Sequence, residues 1–301
     1  MKTVTVLLST YNGEKYLKAQ LDSLIAQKNV SLNILVRDDG SSDSTIDILK
    51  KYKEKGFLNW YTGNNKKTAM SFYDLMLHAP KSDYYAFCDQ DDVWLEDKLY
   101  IAIEKLNKFD DKYPCLYYGT PRLVDSNLCN IKNPKSSYHC MKKFSQSIIN
   151  SNATGCTMVF NNCLLKIVTE KKPLYIDMHD SWIHKVCIIS GGNLVFDEDV
   201  HILYRQHSNN VIGINKSFTN VVRKKFNSLT KKEKSRSRVI CSLYDLYNST
   251  MSIEDKKLAL LVKNYSNSLY DRLKLLFCFK IKTKYIIRNI CFRFAVLLNI
   301  F

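Results

Sequence analysis

The first hundred residues admit few folds, because short apolar β-rich runs alternate along them with amphipathic helical stretches. TVTVLLST (3–10) is a β-rich run that Asn12-Gly13 breaks. GEKYLKAQLDSLIAQ (13–27) then places Tyr16, Leu17, Leu21, Leu24 and Ile25 at helical spacing. SLNILVRD (31–38) reads as a second strand, followed by an Asp-Gly-Ser-Ser loop where Asp43 or Ser44 can cap the helix through Leu49 and Tyr52. FLNWYT, TAMSFYDLMLHA and YYAFCD continue as strand, helix and strand, and the next helix is expected from near Trp94 towards Phe109. A repeat of this kind closes as a mostly parallel central sheet flanked by helices, an α/β fold.

After Pro114 the alternation fades. CLYYG (115–119), TGCTMVF (154–160) and NLVFDE (193–198) read as strands, with helices near 161–170 and 179–190. Beyond Gly213 the chain is helix-prone and strongly basic. Residues 1–215 hold 26 Lys/Arg against 24 Asp/Glu, whereas 216–301 hold 19 against 5, so nearly all of the formal +16 charge lies in the last 86 residues. That asymmetry divides the chain into a nearly neutral body, 1–215, and a basic helical appendage, 216–301. Within the body, 1–110 would hold one half of the site and 111–215 the other. No stretch offers some 18 uninterrupted apolar residues for a spanning helix. The ten cysteines show no metal-ligand spacing and read as reduced structural thiols of a cytosolic protein.

In an open α/β sheet ligands bind beyond the carboxyl ends of the strands, and three polar clusters fall at such ends here. They are Thr10-Tyr11-Asn12-Gly13, Arg37-Asp38-Asp39-Gly40-Ser41-Ser42-Asp43 and Asp89-Gln90-Asp91-Asp92. Neither a G-x-G-x-x-G nor a P-loop is present, which argues against a dinucleotide fold or a P-loop nucleotidase. Three carboxylates in four positions repel one another, and a hard divalent cation such as Mg²⁺ or Mn²⁺ would relieve that repulsion. The plainer alternative is an acidic helix N-terminus with Asp91 or Asp92 as cap, which leaves Asp89 unexplained. Asp38 and Asp39 can accept hydrogen bonds from a nucleobase or ribose, or simply form an Asp-Gly turn. In MHDSWIHK (178–185), His179 and Asp180 open a helix whose other face carries Trp182. A carboxylate there is either a general base for a hydroxyl or an N-cap. YRQHSNNVIG (204–213) gathers Arg205, Gln206, His207, Asn209 and Asn210, where an arginine can clamp a phosphate and an imidazole can ligate a metal.

Taken in order, LLSTYNGEKYLKAQLDSLIAQ, ILVRDDGSSDST, YYAFCDQDDVWLEDKL, TGCTMVFN, MHDSWI and YRQHSNNVIG resemble family 2 glycosyltransferases of the GT-A fold, over about residues 3–213. The branch they are most similar to is the rhamnosyl- and glucosyltransferases of bacterial surface-polysaccharide assembly. The resemblance implies an inverting transfer of one sugar from a nucleotide-diphosphate donor, UDP-hexose such as UDP-glucose or dTDP-L-rhamnose. The implied acceptor is an undecaprenyl-diphosphate-linked saccharide of O-antigen-type synthesis. It places Thr10, Tyr11, Asn12, Asp38, Asp39, Asp89 and Arg205 around the nucleotide sugar. Asp89, Asp91 and His207 fall at the metal, and Asp180 at the catalytic base. Asp92, His179 and Trp182 would lend support. The base stands in a His-Asp setting where Glu-Asp is commoner, but the carboxylate is retained. The Gln-x-x-Arg-Trp block of processive synthases is absent.

Residues 271–301 interleave Lys/Arg with Leu, Ile, Phe and Tyr. An amphipathic segment of this kind can lie on an anionic membrane surface, here the inner face of a bacterial cell membrane. It can equally pack on the catalytic body with its charges solvated. A non-catalytic sugar-binding or nucleic-acid-binding protein with a basic tail is the rival class. Nucleic acid is not expected as a partner, because the acidic clusters sit apart from the positive charge and would repel phosphates.

Overall fold

The computed structural model describes residues 1–131, 138–207 and 234–301. The expected alternation is realised as β1 (Thr3–Thr10), α1 (Leu17–Ile25), β2 (Ser31–Asp38), α2 (Thr45–Glu54), β3 (Asn59–Thr62), α3 (Lys67–His78) and β4 (Tyr84–Cys88). These four strands are mutually parallel. Leu8 pairs with Cys88 on one side of β1, and Thr10 with Asp38 on the other. β1 is buried along almost its whole length, with Val4, Val6, Leu7 and Leu8 at its centre, because both faces are covered, as expected of a central parallel strand. Asp43, not Ser44, supports the start of α2, its carboxylate accepting the Thr45 N–H at 3.0 Å.

The second half widens the sheet and adds a small one. β5 (Val93–Trp94), α4 (Lys98–Leu106), β6 (Cys115–Gly119), β7 (Arg122–Val124), α5 (Phe144–Ile149), β8 (Val159–Asn161), α6 (Asn162–Glu170), α7 (His179–Ile189), β9 (Asn193–Asp197) and β10 (Ile202–Arg205) follow in order. The main sheet runs β3-β2-β1-β4-β8-β6-β9, with β8 antiparallel to both neighbours. A three-stranded sheet, β5-β10-β7, crosses behind the acidic cluster. Chain order reverses between β1 and β4: from β1 the chain steps outward through β2 to β3, then returns to β1's other side as β4. That reversal opens a crevice at the carboxyl ends of β1 and β4.

Two sequence expectations change. The helix after the acidic cluster begins at Lys98, because Val93–Trp94 is drawn into the small sheet by pairing with β10. The first part of TGCTMVF is a 3₁₀ turn, Gly155–Thr157, and only its end is strand. Asn209, Asn210 and the expected boundary near residue 215 lie outside the described residues.

The C-terminal region forms α8 (Ser235–Tyr247), α9 (Ile253–Asn264), α10 (Leu269–Leu276) and α11 (Ile286–Leu297). Leu243, Tyr247, Val262, Leu275, Phe292 and Val296 join Trp182, Phe72 and Phe160 in one continuous core. Among the described residues, no helix is long and apolar enough to cross a membrane.

Candidate active site

A cavity of about 410 Å³ occupies the crevice at the sheet reversal. Thr10, Tyr11 and Asp39 line one end, Asp89 and Asp91 the middle, and His179 and Asp180 the other end. Three sequence-distant acidic segments therefore meet across one space, as the strand-end argument requires.

The end of the cavity at β1 is tied together by one side chain. Gln90 Oε1 accepts from Thr10 Oγ1 at 2.6 Å and from the Tyr11 N–H at 2.9 Å, clamping the β1 loop to the β4 loop. Gly13 is required beside it, since a Cβ there would lie 2.3 Å from Gln90 Oε1. Asp39 is 5% exposed and faces the cavity, held by an ion pair with buried Arg37 and a hydrogen bond from Ser71. Asp38 has a different job. Its carboxylate is fully buried and accepts the Gly40 and Ser41 N–H groups at 3.0 Å each, the plain turn chemistry of an Asp-Gly loop. Asn12 bridges to the same loop, its side chain accepting the Ser42 N–H at 2.9 Å, and does not line the cavity.

In the acidic cluster the three aspartates separate by environment. Burial, then repulsion from Asp91 and Asp180, holds the Asp89 carboxyl well above the usual range. Asp91 accepts from or donates to His207 Nε2 at 2.8 Å, and the His207 ring stacks on Tyr16 at 5.1 Å. Asp92 is neither cap nor cavity wall. It is fully buried and its Oδ1 accepts the Arg205 N–H at 3.0 Å, fastening β10 under the cluster. Asp89, Asp92 and Cys156 come within 4.8 Å of one another, but only Asp89 of the three reaches the cavity. Arg205 also lies beneath the cluster, 4% exposed. Its Nε donates to the Asp91 carbonyl at 2.8 Å and its guanidinium covers the Tyr16 ring. It shapes the Asp91 loop from below and is not among the cavity-lining residues.

At the far end, Asp180 starts α7 without capping it. Its carboxylate accepts the Gly155 N–H at 3.2 Å and that of Ser181, and burial still raises its pKa to about 6. His179 is packed against Phe72 at 3.9 Å and edge-on to Phe87 at 4.8 Å, and burial lowers its pKa to about 3. It is neutral and acts as a wedge that sets Asp180. Trp182 is fully buried against Tyr247 and touches neither substrate space nor Asp180's cavity. Sequence reasoning missed Asn65, in the loop entering α3, and Lys67 and Thr68, in that helix's first turn, all of which line the cavity. The polar GNNKKT run after β3 was the available signal, since it too sits at a strand's carboxyl end.

The family model for glycosyl transferase family 2 matches residues 5–159, which run from within β1 through the acidic cluster to the first residue of β8. The chain belongs to that family. It is a glycosyltransferase. Among curated relatives, the dTDP-rhamnosyl transferase RfbG of Shigella flexneri is 29% identical over 228 residues, covering 70% of this chain and 75% of that protein. A UDP-Glc:α-D-GlcNAc-diphosphoundecaprenol β-1,3-glucosyltransferase of Escherichia coli, WfaP, is 25% identical over 266 residues, covering 85% of this chain and 99% of that protein. Among solved structures, S. aureus TarS 1–349 in complex with UDP-GlcNAc superposes with a TM-score of 0.57 at 16% identity, covering 99% of this chain and 91% of that one. The mannosyltransferase PcManGT from Pyrobaculum calidifontis, in complex with GDP-Man and Mn²⁺, gives 0.56 at 15% identity, covering 98% and 86%. These two likenesses establish the GT-A fold. Divalent cations are common in glycosyltransferases of this fold, and the acidic cluster is of the kind that holds one.

Proposed function

We propose that this glycosyltransferase is an inverting, metal-dependent hexosyltransferase that adds one sugar to a polyprenyl-diphosphate-linked saccharide. Its donor is UDP-hexose, such as UDP-glucose, or dTDP-L-rhamnose, in keeping with what the Shigella and E. coli relatives are named for. The observation that carries the reading is the single cavity joining Asp39, the Asp89–Asp91 pair and Asp180. In this reading Thr10, Tyr11 and Asp39 receive the base and ribose, with Asp38 and Asn12 shaping their loop. Asp89, Asp91 and His207 would hold Mn²⁺ or Mg²⁺. Two cavity-facing carboxylates that repel each other, with an imidazole on the second, form a donor set that suits such a cation. The ion's chemistry there is neutralisation of the diphosphate leaving group. Asp180 takes the proton of the acceptor hydroxyl, which attacks the anomeric carbon from the face opposite the diphosphate.

The test is release of nucleoside diphosphate from UDP-glucose or dTDP-L-rhamnose by the purified protein with Mn²⁺ and a synthetic diphospholipid-linked sugar. No release from either donor, over a panel of acceptor sugars, overturns the reading.

The same proposal assigns the basic region, 216–301, to the inner face of a bacterial cell membrane. On α11, Ile286, Ile287, Ile290, Phe294 and Leu297 are 49–74% exposed and lie within about 100° of arc. Leu269, Tyr270 and Leu273 of α10 repeat the pattern, with Phe277 just beyond. Lys274, Lys280, Lys282 and Lys284 flank these stripes. Apolar stripes edged by cations suit an anionic lipid surface. Nucleic acid has no place in this reading.

A further inference from the structure

Asp180 is a wall shared by two cavities. Behind the donor cavity lies a second, of about 200 Å³, where α5, α7 and the start of α8 meet. Ser147, Asn150, Asp177, Ser181, Lys185 and Arg236 line it together with Asp180. Lys185 is 4% exposed, and its ammonium folds back one turn to donate to Ser181 Oγ at 2.5 Å and to the Ser181 carbonyl at 3.5 Å. That leaves its third N–H without an acceptor among the described residues. Arg236, on the surface rim, forms no ion pair with a carboxylate among them. Arg288 of α11 is near enough to repel Arg236, and its Nη1 has no hydrogen-bond partner among the described residues. Only Asp177 and Asp180 face these cations, and no carboxylate oxygen comes within ion-pair distance of Lys185.

Two cations line this half-enclosed space and a third lies near Arg236, and no ion pair ties Lys185 or Arg236 to Asp177 or Asp180, so both can still receive an anion. Their position says which anion. A donor in the cavity on one side of Asp180 leaves the second cavity, on its other side, to the body of an acceptor whose hydroxyl reaches both Asp180 and the anomeric carbon. The Lys185 ammonium, folded back to Ser181, lies on the wall of the second cavity beside Asp180, and Arg236 stands at its rim. A sugar whose hydroxyl touches Asp180 would therefore present a substituent across its ring to Lys185 and Arg236.

We propose that the second cavity is the acceptor site, and that Lys185 and Arg236 bind the diphosphate joining the acceptor sugar to its lipid. The proposal rests on Asp180 being the base. It adds a recognition element for the acceptor's charged linkage, independent of which sugar is transferred.

The test uses Lys185→Met and Arg236→Gln in the full chain. Calorimetry compares three probes: decyl α-D-N-acetylglucosaminyl diphosphate, the uncharged decyl α-D-N-acetylglucosaminide, and UDP with Mn²⁺. The expected result is a tenfold or greater loss of affinity for the diphosphate probe in each variant, with the other two unchanged. Wild-type affinity for the diphosphate probe in both variants, or equal losses for it and UDP, overturns the proposal. Sedimentation with phosphatidylglycerol vesicles separates a lipid headgroup from the acceptor's diphosphate. Unchanged partitioning of Arg236→Gln supports the acceptor, and loss of partitioning without loss of the probe overturns it. Because Arg236 is at the surface, its variant folds even if the buried Lys185→Met does not. Asp180→Asn serves as the third arm. Retained diphosphate binding with lost transfer supports both readings, whereas retained transfer removes Asp180 as base and with it the stated reason for the second cavity's role.

Discussion

Asp180, the proposed base, shows at the scale of a residue how a cavity-facing carboxylate differs from one spent on holding the fold. Burial disfavours its charge, yet only two backbone N–H groups are supplied to offset this. Its folded pKa near 6 exceeds the ordinary 3.8, so protonation favours the folded state. That stabilisation is full below about pH 4 and is lost as pH rises through 6. Asp180→Asn should therefore be more stable than wild type at pH 8, by roughly 3 kcal/mol, with the difference mostly gone at pH 4. Thermal melts at the two pH values decide this. The same variant should lower kcat by 10²-fold or more while leaving UDP affinity intact, as expected for loss of a general base. Transfer by wild type should rise with pH to a plateau above an apparent pKa near 6. Asp91 and Asp92 make the contrast within one motif. Asp91→Asn removes a carboxylate from the cavity and should abolish metal-stimulated transfer. Asp92→Asn keeps the oxygen that accepts the Arg205 N–H and should retain measurable transfer.

Much of this was legible in the sequence because strands β1, β2 and β4 carry their polar clusters at one end, and parallel pairing must bring those ends together. Thr10, Asp39 and Asp89 follow from that rule, whereas Asp180 stood out as a carboxylate opening the helix that carries Trp182. Asp38, Arg205 and Trp182 did not separate from true cavity residues, because sequence gives a residue's place on an element and not which neighbour claims its side chain. Strands β5, β7 and β10 were invisible, since two to four residues carry no usable period and form only by pairing with one another.

At the scale of elements, the 3₁₀ turn at Gly155 and the first turn of α7 form one working unit. A Cβ at residue 155 would lie 2.6 Å from His179 Nε2, and His179 cannot retreat because Phe72 and Phe87 hold it. Gly155→Ala should therefore push Asp180 off position. The expected signature is a kcat loss of tenfold or more with donor KM little changed, since Thr10 and Asp39 are untouched. The outward stripe of α11 is the opposite kind of element, one whose apolar residues do not hold the fold. Ile290→Glu with Phe294→Glu should release the protein from anionic vesicles in a sedimentation assay, yet shift Tm little. Surface substitutions away from packed contacts usually stay within about 0.5 kcal/mol. A large Tm loss would mean the stripe packs against protein instead of lipid.

Across the whole molecule the basic region and the sugar-transfer body share a core, which changes how membrane attachment must be tested. Leu275, Ile281, Phe292, Val296 and Phe301 are almost fully buried in the cluster that contains Trp182 and Phe72. Arg293 reinforces the joint by donating to the carbonyls of Leu275 at 3.0 Å and Cys278 at 2.8 Å, closing the end of α10. Each of the five apolar side chains contributes about 2 kcal/mol on burial. Together they rival the entire stability of a typical domain, about 5–15 kcal/mol. Deleting residues 271–301 should therefore not yield a soluble, active body. It should strip cover from α5, which packs on α7 and its first turn with Asp180, and give aggregated protein with exposed apolar surface. Dye binding and light scattering after truncation check this directly. A truncated chain that stays monodisperse and still transfers sugar would show the appendage to be a separable anchor. A chain that aggregates as expected would mean that one set of helices, by its inner face, holds the catalytic end of the cavity and, by its outer face, meets the membrane. In that arrangement the site and the lipid-linked acceptor are brought together by a single packed joint, with no flexible tether between them.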